Sequence, residues 1–179
     1  VSGLEIENST DITVTNNKSY NNVVGIFVDL LPGKDIKTSS NVYVGHNHVY
    51  KNNLVNFGAV GSLESYIPTG IGILVLGTDQ TTVDNNISTG NNFTGIAVFS
   101  TLALADIVGL PLDYFDDIEP KADGARITNN MLRNNGAIPP PPPLYYPGVD
   151  FLWDGTGTDN CWSDKNFTTS YQSPFPLCI

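Results

Sequence analysis

Basic residues are scarce in this chain. Eight lysines and arginines stand against eighteen aspartates and glutamates, a net charge of −10 over 179 residues. They form no cluster, which argues against nucleic-acid binding, because phosphate neutralisation needs a basic patch. The acidic surface also repels anionic polysaccharides unless a cation intervenes. No apolar run is long enough to span a membrane as a helix. Ser/His/Asp motifs, phosphate loops and Cys-x-x-Cys are all missing. The two cysteines, Cys161 and Cys178, lie in the tail. They read as one disulfide stapling a C-terminal cap, the alternative being two unrelated thiols. A disulfide closing such a loop is worth about 3 kcal/mol in the chain-entropy model, and it implies an oxidising compartment.

The chain does have repetition. A glycine-led apolar strand recurs as GLEIEN, GIFVD, GILVLG, GIAVFS and GVDFLW, and an asparagine-closed strand as ITVTNN, VYVGHN, TVDNN and ARITNN. In register, Leu4, Ile26, Ile73, Ile96 and Val149 share one inward column. Ile6, Val28, Val75, Val98 and Phe151 share the next, a period of two that marks a strand with one buried face. Val14, Val44, Val83 and Ile127 form a third apolar column, followed by Asn17, Asn47, Asn86 and Asn130. Stacked asparagines can pass amide hydrogen bonds along such a column and tolerate the left-handed backbone of tight turns. The second asparagine pair slips by one residue between units, which reads as a small bulge. Each unit cannot bury its apolar face alone, so the pattern predicts an all-β solenoid of stacked parallel strands.

Four segments carry a family resemblance: GLEIENSTDITVTNN at the start, GIFVDLLPG, TGIGILVLG and LWDGTGTDNCW. The chain resembles the right-handed parallel β-helix repeat proteins of the pectin-lyase-like superfamily, and within it an exported bacterial family. The resemblance implies a right-handed β-helix with loop insertions and a C-terminal cap, in a secreted, periplasmic or cell-envelope protein. Residues 1–160 then hold the rungs, with insertions at 30–40, 54–69, 100–122 and 136–147, and 161–179 form the cap. Val1-Ser2-Gly3 already lies inside a repeat, so upstream rungs and an export signal are expected to precede it.

Insertions in a solenoid emerge as loops on its faces, often the binding face. Phe27, Leu74 and Ala97 share an outward column, and Leu76 and Phe99 share the next with Asp29. An apolar exterior must be covered or must bind something. The apolar segment 100–112 is the expected cover. The five prolines at 139–143 read as a stiff lid edge or spacer in polyproline II form.

Two acidic groupings carry candidate chemistry. The first is Asp113, Asp116, Asp117 and Glu119 around Tyr114. It suits calcium or an acid–base pair, the alternative being a solvated loop. The second is Asp150, Asp154, Asp159 and Asn160 around Trp153 and Trp162. Here Asp154, Asp159 and Asn160 are candidate calcium ligands, and the alternative is a terminal rung with capping turns. An aromatic ring beside carboxylates suits a sugar, since the ring stacks on its apolar face. Tyr114, Trp153 and Asp29 are therefore the substrate-binding candidates. Asp113, Asp116, Asp117, Asp150 and His46 are the catalytic ones. Asp150 is expected on the strand exterior. His46 and His48 can share a strand face, but His46 stands in the column of Asn16, Asn85 and Asn129, a turn position. β-Helix polysaccharide lyases use a basic residue as base beside calcium. Arg126 and Arg133, the only arginines, lie in no acidic constellation.

These features support an exported β-helix that binds, and in one version modifies, a carbohydrate. The alternatives are an envelope scaffold docking another exported protein through its insertions, and a calcium-stabilised structural module.

Overall fold

The computed structural model describes residues 1–163, 166–172 and 175–178. The backbone makes repeated circuits. The first comprises β1 (Ser2–Glu7), β2 (Thr13–Thr15) and β3 (Lys18–Tyr20); the second, β4 (Val24–Asp29), β5 (Tyr43–Gly45) and β6 (His48–Tyr50). A third follows with β7 (Ile71–Leu76), β8 (Thr82–Asp84) and β9 (Ile87–Thr89), and a fourth with β10 (Thr94–Phe99), β11 (Arg126–Thr128) and β12 (Met131–Arg133). The chain closes with β13 (Val149–Trp153), β14 (Cys161–Trp162) and β15 (Ser170–Tyr171). Each strand pairs in parallel with its counterpart one circuit away. Three parallel sheets result, ordered β1-β4-β7-β10-β13-β15, β14-β11-β8-β5-β2 and β12-β9-β6-β3. The one α-helix among the described residues, α1 (Ala103–Val108), lies in an insertion.

The core lies between the sheets. Val28, Val75 and Val98 stack in register and are fully buried, as are Val44 and Val83 in the second sheet. Burying such a side chain is worth about 1.5–3 kcal/mol relative to leaving it exposed. Beside this column run two asparagine ladders. In the first, Nδ2 of Asn17, Asn47 and Asn86 donates to Oδ1 of the next asparagine, ending at Asn130, at 3.0 Å each. The second runs Asn22, Asn52, Asn91, Asn135 at 3.0–3.2 Å. Its members follow those of the first by five residues in every circuit, so the apparent slip is not a bulge. The residue before each ladder member adopts positive φ, and in the second ladder that place is filled by Asn21, Lys51, Gly90 or Asn134. Asparagine pairs therefore fall at 21–22 but at 52–53 in the next circuit.

The fifth strand corrects the expected columns. Val149 pairs with Thr94, Phe151 with Ile96 and Trp153 with Val98, a shift of two residues. The cause is the glycine. Gly25, Gly72 and Gly95 are needed because a Cβ there would lie within 2.9 Å of the second ladder's amide nitrogens. Gly148 is a different glycine, pressed against the backbone of Gly136. At the end of the ladder there is no further asparagine to avoid, and Asp150 takes the glycine column.

A second apolar layer covers the outside of the first sheet. Phe27, Leu74, Ala97, Leu76 and Phe99 pack under Leu104 and Ala105 of α1, with Phe115, Ile118, Ile67 and Leu31 from the insertions. At the far end, Phe151, Trp153, Trp162 and Phe175 stack with ring centroids 4.7–6.5 Å apart and plug the core. Cys161 and Cys178 are disulfide-bonded, with Cα atoms 4.8 Å apart, holding the tail across that plug. Residues 164, 165, 173, 174 and 179 of the expected cap lie outside the described residues.

Candidate functional site

The aspartates named from sequence occupy separate places. Asp150 is buried rather than on the exterior. Its Oδ1 accepts the backbone N–H and Nδ2 of Asn135 at 3.1 and 3.0 Å, and its Oδ2 accepts the N–H of Thr168 at 3.0 Å. An aspartate suits the end of an amide ladder, where only acceptors are required. Trp153 points into the core end and donates from Nε1 to the carbonyl of Thr156 at 2.8 Å. Asp154 accepts the N–H groups of Ser100 and Thr156 at 2.7 and 2.8 Å. Asp159 is exposed at positive φ, in the turn that follows the pattern of Asn41 and Gln80. Asn160 accepts the N–H of Ala125 at 2.7 Å and donates to Ala122 at 2.9 Å. The oxygens of Asp154 and Asn160 are thus spent on backbone donors.

Asp113 and Asp116 are exposed around a 3₁₀ turn, Leu112–Phe115, which is anchored by buried Phe115. Tyr114 is 44 % exposed and lies edge-on to Phe115. Asp117 turns away and accepts from Lys37 Nζ and from the N–H of Gly33, tying insertion 100–122 to insertion 30–40. That lysine bond holds its carboxyl below the usual range. Glu119 is exposed. His46 sits at positive φ in the turn column, as expected, whereas His48 rests on Tyr50 at 4.5 Å, and Tyr50 stacks on Tyr20 at 5.0 Å.

Asp29 is different. It ends β4 on the outward side of the first sheet, is 0 % exposed, and neither carboxyl oxygen has a hydrogen-bond partner among the described residues. Its neighbour across the strand pair is Glu7. Carboxyl oxygens of Glu5, Glu7 and Glu64 lie within 4.8 Å of one another there. Glu64 comes from a 3₁₀ turn, Leu63–Tyr66, in insertion 54–69. Lys34 Nζ reaches Glu7 at 2.9 Å. Burial first, then the charges of Glu5, Glu7 and Glu64, push the Asp29 carboxyl up to about 9. Burial and the charges of Glu64 and Glu7 also raise Glu5. Asp29 was legible from its column, and that column also contains Glu7. Glu64 lies in an insertion, where no repeat register exists to place it.

A groove of about 380 Å³ opens between insertions 54–69 and 136–147. Tyr66, Pro68, Thr69, Asn92 and Pro139 to Pro143 line it. The side-chain amide of Asn92 and the hydroxyl of Tyr66 make no hydrogen bond to another described residue.

No family model, curated protein or solved structure matches the chain. The catalytic candidates do not converge: Asp150 ends a ladder, Asp117 joins two insertions, Asp113 and Asp116 face solvent, and His46 makes a turn.

Proposed function

We propose that the chain is a right-handed parallel β-helix from an exported protein of pectin-lyase-like architecture, and that it binds a neutral carbohydrate in the groove between insertions 54–69 and 136–147. Three parallel sheets visited in fixed order, with ladders along the core, support the helix. The disulfide is compatible with export, and no described helix is long and apolar enough to cross a membrane.

The groove carries the binding reading. A tyrosine ring and proline faces offer apolar walls on which a sugar ring can stack, and an unengaged amide can read its hydroxyls. The acidic surface favours an uncharged glycan. Binding without modification fits the dispersal of the catalytic candidates. The test is an array of neutral oligosaccharides probed with the wild type and Tyr66→Ala. Binding that falls at least tenfold in the variant, at unchanged melting temperature, supports the reading. No signal from the wild type removes it.

A protein partner is the second reading. Val55, Phe57 and Tyr145 are 86 %, 62 % and 85 % exposed on the same two insertions. Large exposed apolar side chains on neighbouring insertions are of the kind that mark interaction surfaces. A silent glycan array, with loss of a co-purifying exported protein on Phe57→Asp, favours this reading.

A further inference from the structure

We propose that Glu5, Glu7 and Glu64 bind one calcium ion above Asp29, at the edge of the first sheet. Three carboxylate oxygens within 4.8 Å of one another can all reach one ion whose oxygen ligands lie about 2.3–2.6 Å away. Magnesium demands near-ideal octahedral geometry at about 2.0–2.1 Å and dehydrates reluctantly, so an open set of carboxylates from a strand and a loop suits calcium better. Every donor is a carboxylate, with neither imidazole nor thiolate, so the set suits a hard cation.

An acidic cluster alone would not argue for a ligand, since exposed carboxylates commonly gather without one. Asp29 supplies the independent observation. Its side chain is fully buried directly beside Glu7, and both of its oxygens lack hydrogen-bond partners among the described residues. A buried carboxyl with no partner is costly, whereas the buried amides of both asparagine ladders are bonded. Lys34 pairs with Glu7, so one ammonium meets four carboxyl groups. A divalent ion supplies the missing positive charge, and waters complete its shell on the solvent side, where Glu5 is exposed. The ligands come from β1 and from insertion 54–69, with Asp29 of β4 beneath them, so the ion fastens that insertion to the first sheet.

The test is calorimetric titration of CaCl2 into the full chain after chelator treatment. The expected result is one ion per chain, with Kd in the range of about 10⁻⁴–10⁻³ M typical of extracellular calcium modules, and weaker binding of MgCl2. Glu64→Gln, in a loop and away from the core columns, should weaken binding at least tenfold. Asp159→Asn, at the former candidate site, should leave it unchanged. Should Glu7→Gln or Asp29→Asn fail to fold, Glu64→Gln still decides. Absence of calcium binding in the wild type overturns the proposal. So does wild-type affinity in Glu64→Gln, or loss of binding in Asp159→Asn. Equal affinity for magnesium overturns the assignment to calcium.

Discussion

Replacing Asn86 with alanine removes a fully enclosed rung of the first ladder. Its Nδ2 donates to the carbonyls of Val44 and Asp84 at 2.8 and 3.2 Å and to Asn130 Oδ1 at 3.0 Å. Its Oδ1 accepts the N–H and Nδ2 of Asn47 at 2.9 and 3.0 Å. Alanine leaves the buried Asn47 N–H without an acceptor, at about 1–3 kcal/mol. The other lost bonds add about 0.5–1.5 kcal/mol each where nothing replaces them. Two Nδ2 protons serve three of those acceptors, so the lower part of the sum, about 3–5 kcal/mol, is expected for Asn86→Ala. At Asn17 the same substitution removes only the Nδ2 bonds to Thr15 and Asn47, at 2.9 and 3.0 Å, in a partly solvated position. Asn17→Ala should cost about 1 kcal/mol. Urea denaturation with a common m-value measures both. Equal costs, or a cost under about 1 kcal/mol at Asn86, would refute the ladder argument.

Other outcomes follow from the same structure. Val75→Asp places a lone charge among fully buried valines and should abolish cooperative unfolding as seen by circular dichroism. Asp150→Asn swaps an acceptor for a donor against the N–H of Thr168 and should destabilise the chain, again read by urea denaturation. In chelator, folded Asp29 keeps a proton that the unfolded chain has lost above its ordinary value of 3.8, up to about 9. Its contribution is therefore fully present below about pH 4 and declines as pH rises toward 9, by about 1.4 kcal/mol per pH unit. The stability difference between wild type and Asp29→Asn should shift toward the variant by that slope, and parallel pH profiles would contradict it. Mass spectrometry of protein purified from its native source without reductant should find Cys161 and Cys178 bonded, and free thiols would remove the compartment argument.

The columns of Val28, Val75 and Val98 and of Asn47, Asn86 and Asn130 were readable because a period of two within each strand is locked to a repeat between strands. Either regularity alone would leave the register open. The error at Val149 shows the limit. Gly148 imitates the repeat glycine, and only the three-dimensional position of the second ladder reveals that Asp150 fills its column. The site was harder to read. Asp29 and Glu7 share a column and were within reach of the register. Glu64 and Tyr66 lie in an insertion whose path is set by packing on the first sheet, so no spacing in the sequence brings them to β1 or to the proline run. Asp154 and Asn160 looked like ion ligands because turn-capping oxygens and calcium-binding oxygens come from the same residue types.

The most direct test is a crystal structure of the chain grown with calcium and an oligosaccharide chosen from the array. It should show parallel circuits with Asn91 bonded to Asn135, a sugar ring lying on Tyr66 against the prolines of 139–143, and one ion on Glu5, Glu7 and Glu64. A sugar seated elsewhere, such as on Tyr20 and Tyr50, or insertions 54–69 and 136–147 closed against each other with the groove filled by their own side chains, would contradict the groove proposal.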